Sequence, residues 1–204
     1  MAPFQTWTAG EPYLNLHCGL AEGPYHEKEA NVLRFVDIKK KQVHFVNLDR
    51  GPESLRTVQL DVPVGVTADI AGVDPADRIL VGLKYGVAVL DVATGQYEYV
   101  AKLHDTDNER LRANDGAVDP HGRFWLGSMT DFGLGDFQAE GTVRSCYFWV
   151  VFFFFRGRRG GRRVEGWRST TTPLVACASY SLRHVLTHSF PGSPTPSLTY
   201  SLTH

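Results

Sequence analysis

At 204 residues, with 43% apolar and 12% aromatic residues, the chain has the composition of a soluble globular protein with room for one good-sized domain. Its net charge of −1 averages two unlike parts: residues 1–141 carry 13 Lys and Arg against 21 Asp and Glu, whereas residues 142–204 carry 8 Arg against the single Glu165. The acidic larger part gives no electrostatic basis for nucleic acid or an anionic membrane as partner, and the most apolar run, Cys146 to Phe155, has 10 residues where a spanning helix needs roughly 20.

Met1–Trp7 lacks the basic and apolar regions of a signal peptide. Cysteines at 18, 146 and 177 form an odd set without framework spacing, which favours a reducing compartment, so the expected location is cytoplasmic. Val32–Ile38 and Gln42–Leu48 are β-branched and aromatic runs separated by three lysines, the pattern of a hairpin with a charged turn, and Leu55–Asp61 supplies a further strand. Val66–Gly72, Arg78–Leu83, Gly86–Val92 and Tyr97–Leu103 follow as four strands joined by short turns. Asp115–Val118 and Arg123–Met129 open a third group.

The groups repeat. Asp74-Pro75-Ala76-Asp77-Arg78-Ile79-Leu80-Val81-Gly82 returns as Asp119-Pro120-His121-Gly122-Arg123-Phe124-Trp125-Leu126-Gly127, and the run at Leu33 stands one such interval before the run at Ile79. Short strands recurring every 40 to 50 residues or so predict β-propeller blades, units stable only when stacked on one another. The fold class expected is therefore all-β, a propeller of about three blades. Both Asp-Pro pairs sit between the first two strands of a unit, where Pro presets φ and Asp accepts a local backbone hydrogen bond; they are read as turns.

Past residue 142 the strand period fades. Phe152–Phe155 is followed by an Arg-Gly run, and in residues 169–204, 18 of 36 are Ser, Thr or Pro, a composition that builds no core. The expectation is one partial propeller over 15–142 and an unrelated, disordered stretch over 143–204. Ser201-Leu202-Thr203-His204, echoed at 186–189, is what tandem TCAC encodes, and Val143 requires a codon starting GT; residues from about 143 onward therefore read as translated intron, with a frameshift as the alternative.

In a propeller the innermost strand of each blade lines the central channel, so polar residues at its start face the axis. Counting back from the second strands, Glu22 and Asn114 fall at that place, and Ala68-Asp69 in the middle unit. A carboxylate and an amide converging there are oxygen donors of the kind a hard divalent cation accepts, or else local turn hydrogen-bonding groups.

Leu20-Ala21-Glu22-Gly23-Pro24-Tyr25-His26, Leu33–Ile38, and the run Arg112-Ala113-Asn114-Asp115-Gly116 through Asp119-Pro120-His121-Gly122-Arg123 to Met129 resemble the senescence marker protein (regucalcin) and gluconolactonase family over roughly residues 15 to 142. The resemblance implies a six-bladed propeller with one divalent cation, calcium or zinc, that hydrolyses sugar lactones. It implies Glu22 as a metal ligand and Arg112 and Asn114 as substrate-binding residues, with Asn114 also close to the metal. The other two metal ligands of the family have no counterpart here, so hydrolysis is expected to be lost in this chain. A non-catalytic calcium-binding or scaffolding propeller, or a mis-spliced product without function, is the alternative. His26, where relatives carry an aromatic, is read as a packing substitution.

Overall fold

The computed structural model describes residues 4–149, 152–159, 162–169 and 174–180. Three four-stranded antiparallel sheets follow one another along the chain. The first is β1 (Ala21–Glu27), β2 (Val32–Asp37), β3 (Gln42–Asn47) and β4 (Arg56–Gln59); the second is β5 (Val64–Ala68), β6 (Arg78–Leu83), β7 (Gly86–Asp91) and β8 (Tyr97–Lys102). The third joins β9 (Leu111–Val118), β10 (Arg123–Thr130) and β11 (Val143–Trp149), with β14 (Leu174–Tyr180) outermost; β12 (Phe152–Arg159) and β13 (Arg162–Ser169) pair as a separate hairpin. These sheets are the blades that the repeat predicts.

The middle blade is covered on both faces, which explains its unbroken apolar strand Ile79–Leu83. Ile79, Val81 and Leu83 enter one core with Val36, Ile38, Val43 and Val58 of the first blade. Leu80 turns the other way, into a second core with Phe124 and Leu126 of the third. Each such side chain, removed from water, contributes roughly 1.5–3 kcal/mol. Gly82 faces that second core too, where a Cβ would lie 2.7 Å from both Leu126 and Val66 side-chain carbons.

The Asp-Pro turns form as expected. Asp74 Oδ1 accepts the Ala76 N–H at 2.9 Å, and Asp119 Oδ1 accepts those of His121 (2.8 Å) and Arg123 (3.0 Å). Desolvation alone would raise the Asp119 carboxyl, but these bonds and the Trp125 indole N–H hold it well below the usual carboxylate range.

Two expectations change. Beyond residue 142 no regular structure was anticipated, yet β11 pairs with β10 over Arg123–Gly127 and β14 pairs with β11 over Val143–Trp149. Without a neighbour β10 would present a row of open backbone donors and acceptors, and the β-branched and aromatic run that follows it fills the edge. The Ser-Leu-Thr-His echoes lie outside the described residues. Second, Cys18 is free, but Cys146 is disulfide-bonded and stands opposite Cys177 in the β11–β14 register. The odd count thus conceals a pair, and the inference of a reducing compartment loses that support. Among the described residues no helix is long and apolar enough to cross a membrane.

Candidate functional site

The inner strands β1, β5 and β9 all start at one end of the blades. Ala21 pairs with Asp37, Val64 with Leu83 and Ala113 with Ser128, so these three residues occupy equivalent places. The register shifts close to each of them: between Glu22, still paired with Val36, and Tyr25; between Val64 and Val66; and opposite Leu126 to Ser128. A bulge frees a residue from pairing and re-aims its side chain. Glu22 and Asn114 sit at two of these bulges, both half-buried. The middle bulge holds Gly65, not the Ala68-Asp69 pair that counting selects.

Gly65 is there for space. A Cβ on it would lie 1.9 Å from the Asn114 carbonyl oxygen, and one on Gly23 would lie 3.7 Å from the Gly65 carbonyl oxygen. The three inner strands therefore pass shoulder to shoulder at this level, bringing the backbones of Gly23, next to Glu22, and of Asn114 close to Gly65. The Ala113 N–H donates to the Lys84 carbonyl at 3.0 Å, a further backbone link between the second and third blades.

Arg112, one residue above this level, is 2% exposed. Its Nη1 donates to the Ala113 carbonyl at 2.8 Å and its Nη2 to Met129 Sδ at 3.2 Å. The guanidinium carbon lies 4.3 Å from the centroid of the Phe132 ring. Nε is buried without a hydrogen-bond partner; the nearest carboxylate oxygen, Asp131 Oδ1, is 3.6 Å away. Burial pulls the Arg112 pKa down, while the Asp131 and Glu22 charges oppose the shift, so Glu22 lies close enough for its field to reach the guanidinium.

Asp131 is itself held. Its Oδ2 accepts Lys84 Nζ at 2.9 Å, and its Oδ1 accepts the Phe132 N–H at 2.8 Å. Lys84 also donates to Glu109 at 2.7 Å. Burial would lower the Lys84 pKa, but the Glu109 and Asp131 bonds outweigh it and raise it. At the start of β1, Asp37 accepts the N–H groups of Gly19 (2.7 Å), Leu20 (3.1 Å) and Lys40 (3.0 Å), which fix the strand carrying Glu22. Desolvation of Asp37 is more than offset by those bonds, and its carboxyl sits below the ordinary value.

The structure thus brings together Glu22, Arg112 and Asn114, and adds Asp131, Phe132 and Lys84, which sequence reasoning missed. Asp69 belongs elsewhere: it accepts Arg34 Nη2 at 2.9 Å and the Tyr25 hydroxyl at 2.7 Å, part of a buried cluster fastening the first blade to the second. His26 is exposed and shares a 2.9 Å hydrogen bond with Asn31 Oδ1, so it neither packs in a core nor joins the site.

The donor set does not suit a resident divalent cation. Among the described residues no group of three or more His, Cys, Asp or Glu is placed to hold one. Glu22 and Asn114 offer two side-chain oxygen donors, whereas calcium takes about six to eight oxygens. Asp131 is already engaged by Lys84 and Arg112.

Among curated proteins, the chain is 34% identical over 110 residues to the 6-deoxy-6-sulfogluconolactonase of Pseudomonas putida, covering 54% of this chain and 35% of that protein. It is 34% identical over 117 residues to the regucalcin of Bos taurus, covering 57% and 36% respectively. A solved luciferin-regenerating enzyme superposes with a TM-score of 0.55 at 26% identity, over 63% of this chain and 42% of that one. The chain spans little more than a third of the length of those two curated relatives. Residues 20–144 match the family described as SMP-30/Gluconolactonase/LRE-like region, which takes in all three inner strands and both motifs that carry Glu22, Arg112 and Asn114. The chain belongs to this family.

Proposed function

We propose that this chain carries the sugar-lactone-binding side of a gluconolactonase-type channel, with Arg112 and Asn114 holding the substrate and Glu22 facing them. The supporting observation is Arg112: a buried guanidinium with an unpartnered Nε, within the field of Glu22, at the end where three inner strands converge. A sugar lactone suits that arrangement. Its carbonyl and ring oxygens accept hydrogen bonds from Arg112, while its hydroxyls donate to Glu22 and accept from the Asn114 amide. Hydrogen bonds to charged groups contribute roughly 1.5–3 kcal/mol each, enough to orient a small polyol. The lactone chemistry in the name of the Pseudomonas relative supports the same substrate class.

Turnover asks for more. Water must reach the carbonyl carbon, give up a proton, and break the ring C–O bond with a proton passing to the departing oxygen. In the family that resemblance implies, a divalent cation assists; two oxygen ligands do not retain one here, and we assign it no step. The function we assign to this chain is binding without turnover. The test is titration with D-gluconate, the stable open-chain product, by calorimetry. Arg112→Lys should weaken binding by about tenfold or more, the loss expected from a charge-assisted contact, and Asn114→Ala by roughly three- to tenfold, the loss expected from a neutral one. No binding by the natural chain, or unchanged affinity in both variants, refutes the reading. Glucono-lactone hydrolysis above the spontaneous rate, abolished by Glu22→Ala, refutes the absence of turnover.

A further inference from the structure

We infer that Asp131 is the positioning residue for Arg112, and that Lys84 sets the distance at which it acts. This rests on the lactone-binding reading for its purpose, though the geometry stands by itself. Met129 lies opposite Arg112 in the β9–β10 register, and Asp131 follows just past the end of β10, its N–H donating to the Arg110 carbonyl at 2.7 Å. Phe132 then closes over the guanidinium plane. The turn from Met129 to Phe132 therefore surrounds Arg112 with a sulfur acceptor, a carboxylate and an aromatic face.

The carboxylate is the adjustable member. Asp131 Oδ1 stands 3.6 Å from Nε, beyond hydrogen-bond range, because Lys84 Nζ at 2.9 Å draws the same carboxylate the other way and the Phe132 N–H pins Oδ1 at 2.8 Å. Lys84 belongs to the second blade and is in turn anchored by Glu109. Two cations thus share one carboxylate. The buried Arg112 guanidinium faces a carboxylate but is not tied to it by Nε, so it keeps the tilt imposed by Phe132 and Met129. That tilt leaves donors for a ligand arriving between Arg112 and Glu22. A direct Nε bond to Asp131 would rotate the fork toward the loop and away from the channel.

The experiment uses the full 204-residue chain labelled with 15N-arginine, reading the Arg112 Nε–H resonance, identified by its loss in Arg112→Lys. In Asp131→Asn the resonance should shift and its exchange with solvent should quicken by about tenfold, since the carboxylate is no longer charged; Asp131→Glu should restore part of the protection. In Lys84→Met the change should run the other way: Asp131 relaxes onto Arg112, the proton moves downfield, and exchange slows. The two opposite responses, with backbone amide dispersion retained, separate positioning from loss of structure. An Arg112 resonance unchanged in Asp131→Asn, or shifts of the same sign in both variants, overturns the inference. Failure of D-gluconate to move the Arg112 resonance in the natural chain overturns instead the lactone-binding reading, so the two fail by different signals.

Discussion

Replacing Gly65 by Ala introduces a single methyl group at the tightest point between two inner strands. The added Cβ would start 1.9 Å from the Asn114 carbonyl oxygen and 2.9 Å from its carbon. The strands must separate by about 1.1 Å before even the closest contact found in real structures is reached. The obstacle is backbone, so no rotamer change relieves it, and both strands are fixed by their ladders. Overpacking of well-filled cores costs roughly 1–3 kcal/mol and occasionally more, so a cost of about 3 kcal/mol is expected here. Gly127 provides the control, because a Cβ there meets only the Asp115 carbonyl oxygen at an ordinary 3.5 Å. Gly127→Ala should stay within about 1 kcal/mol of the natural chain. In urea, with a slope of about 1–3 kcal/mol per molar, Gly65→Ala should lower the unfolding midpoint by about 1–3 M. Equal midpoints for Gly65→Ala and Gly127→Ala would refute the close approach of β5 and β9, and with it the placing of Asn114 against Gly65.

His44 should make the fold acid-sensitive. Its ring is 4% exposed, with Nδ1 hydrogen-bonded to the Thr57 hydroxyl at 2.9 Å, and burial pushes its pKa below the usual 6.5. The folded chain binds this proton less tightly than the unfolded one, so the contribution is complete above about pH 6.5 and declines as pH falls through the lower folded value. Urea midpoints should drop between pH 7 and 5 in the natural chain and drop less in His44→Phe; equal slopes would discard the assignment. Arg34, with no exposure, binds Glu27 Oε1 at 2.5 Å, Thr67 Oγ1 at 2.8 Å and Asp69 Oδ1 at 2.9 Å. Arg34→Met should cost about 3–5 kcal/mol by stranding those carboxylates, and Glu27→Gln added to it should recover part of the loss. Additive effects in chemical denaturation would show that the pair is not coupled.

The repeat was legible because turn chemistry leaves fixed residues: Asp-Pro before a second strand, then Arg, an apolar run and Gly. Counting from those landmarks located Glu22 and Asn114 but missed Gly65. The reason is loop length. The turn between β1 and β2 spans residues 28–31 and that between β9 and β10 spans 119–122, whereas the one between β5 and β6 spans 69–77. Counting back an equal number of residues from Ile79 therefore lands below the bulge. Asp131 and Lys84 were illegible for a different reason, since each acts through a neighbour in space from another blade or beyond the end of a strand, and single carboxylates and lysines at loop starts are common. The strands past residue 142 escaped notice because their pattern has meaning only beside the open edge of β10.

The bulges at matching depth in β1, β5 and β9 have an evolutionary corollary. In β1 and β9 the residue beside the register shift can change identity without disturbing the wedge of apolar side chains between blades, whereas in β5 Gly65 is held to glycine by the Asn114 carbonyl against it. A glutamate, a glycine and an asparagine occupy these places in a single chain. Ligand chemistry along the axis can therefore drift one blade at a time, while a deletion of one residue within a bulge would reverse which side of the sheet its neighbours occupy.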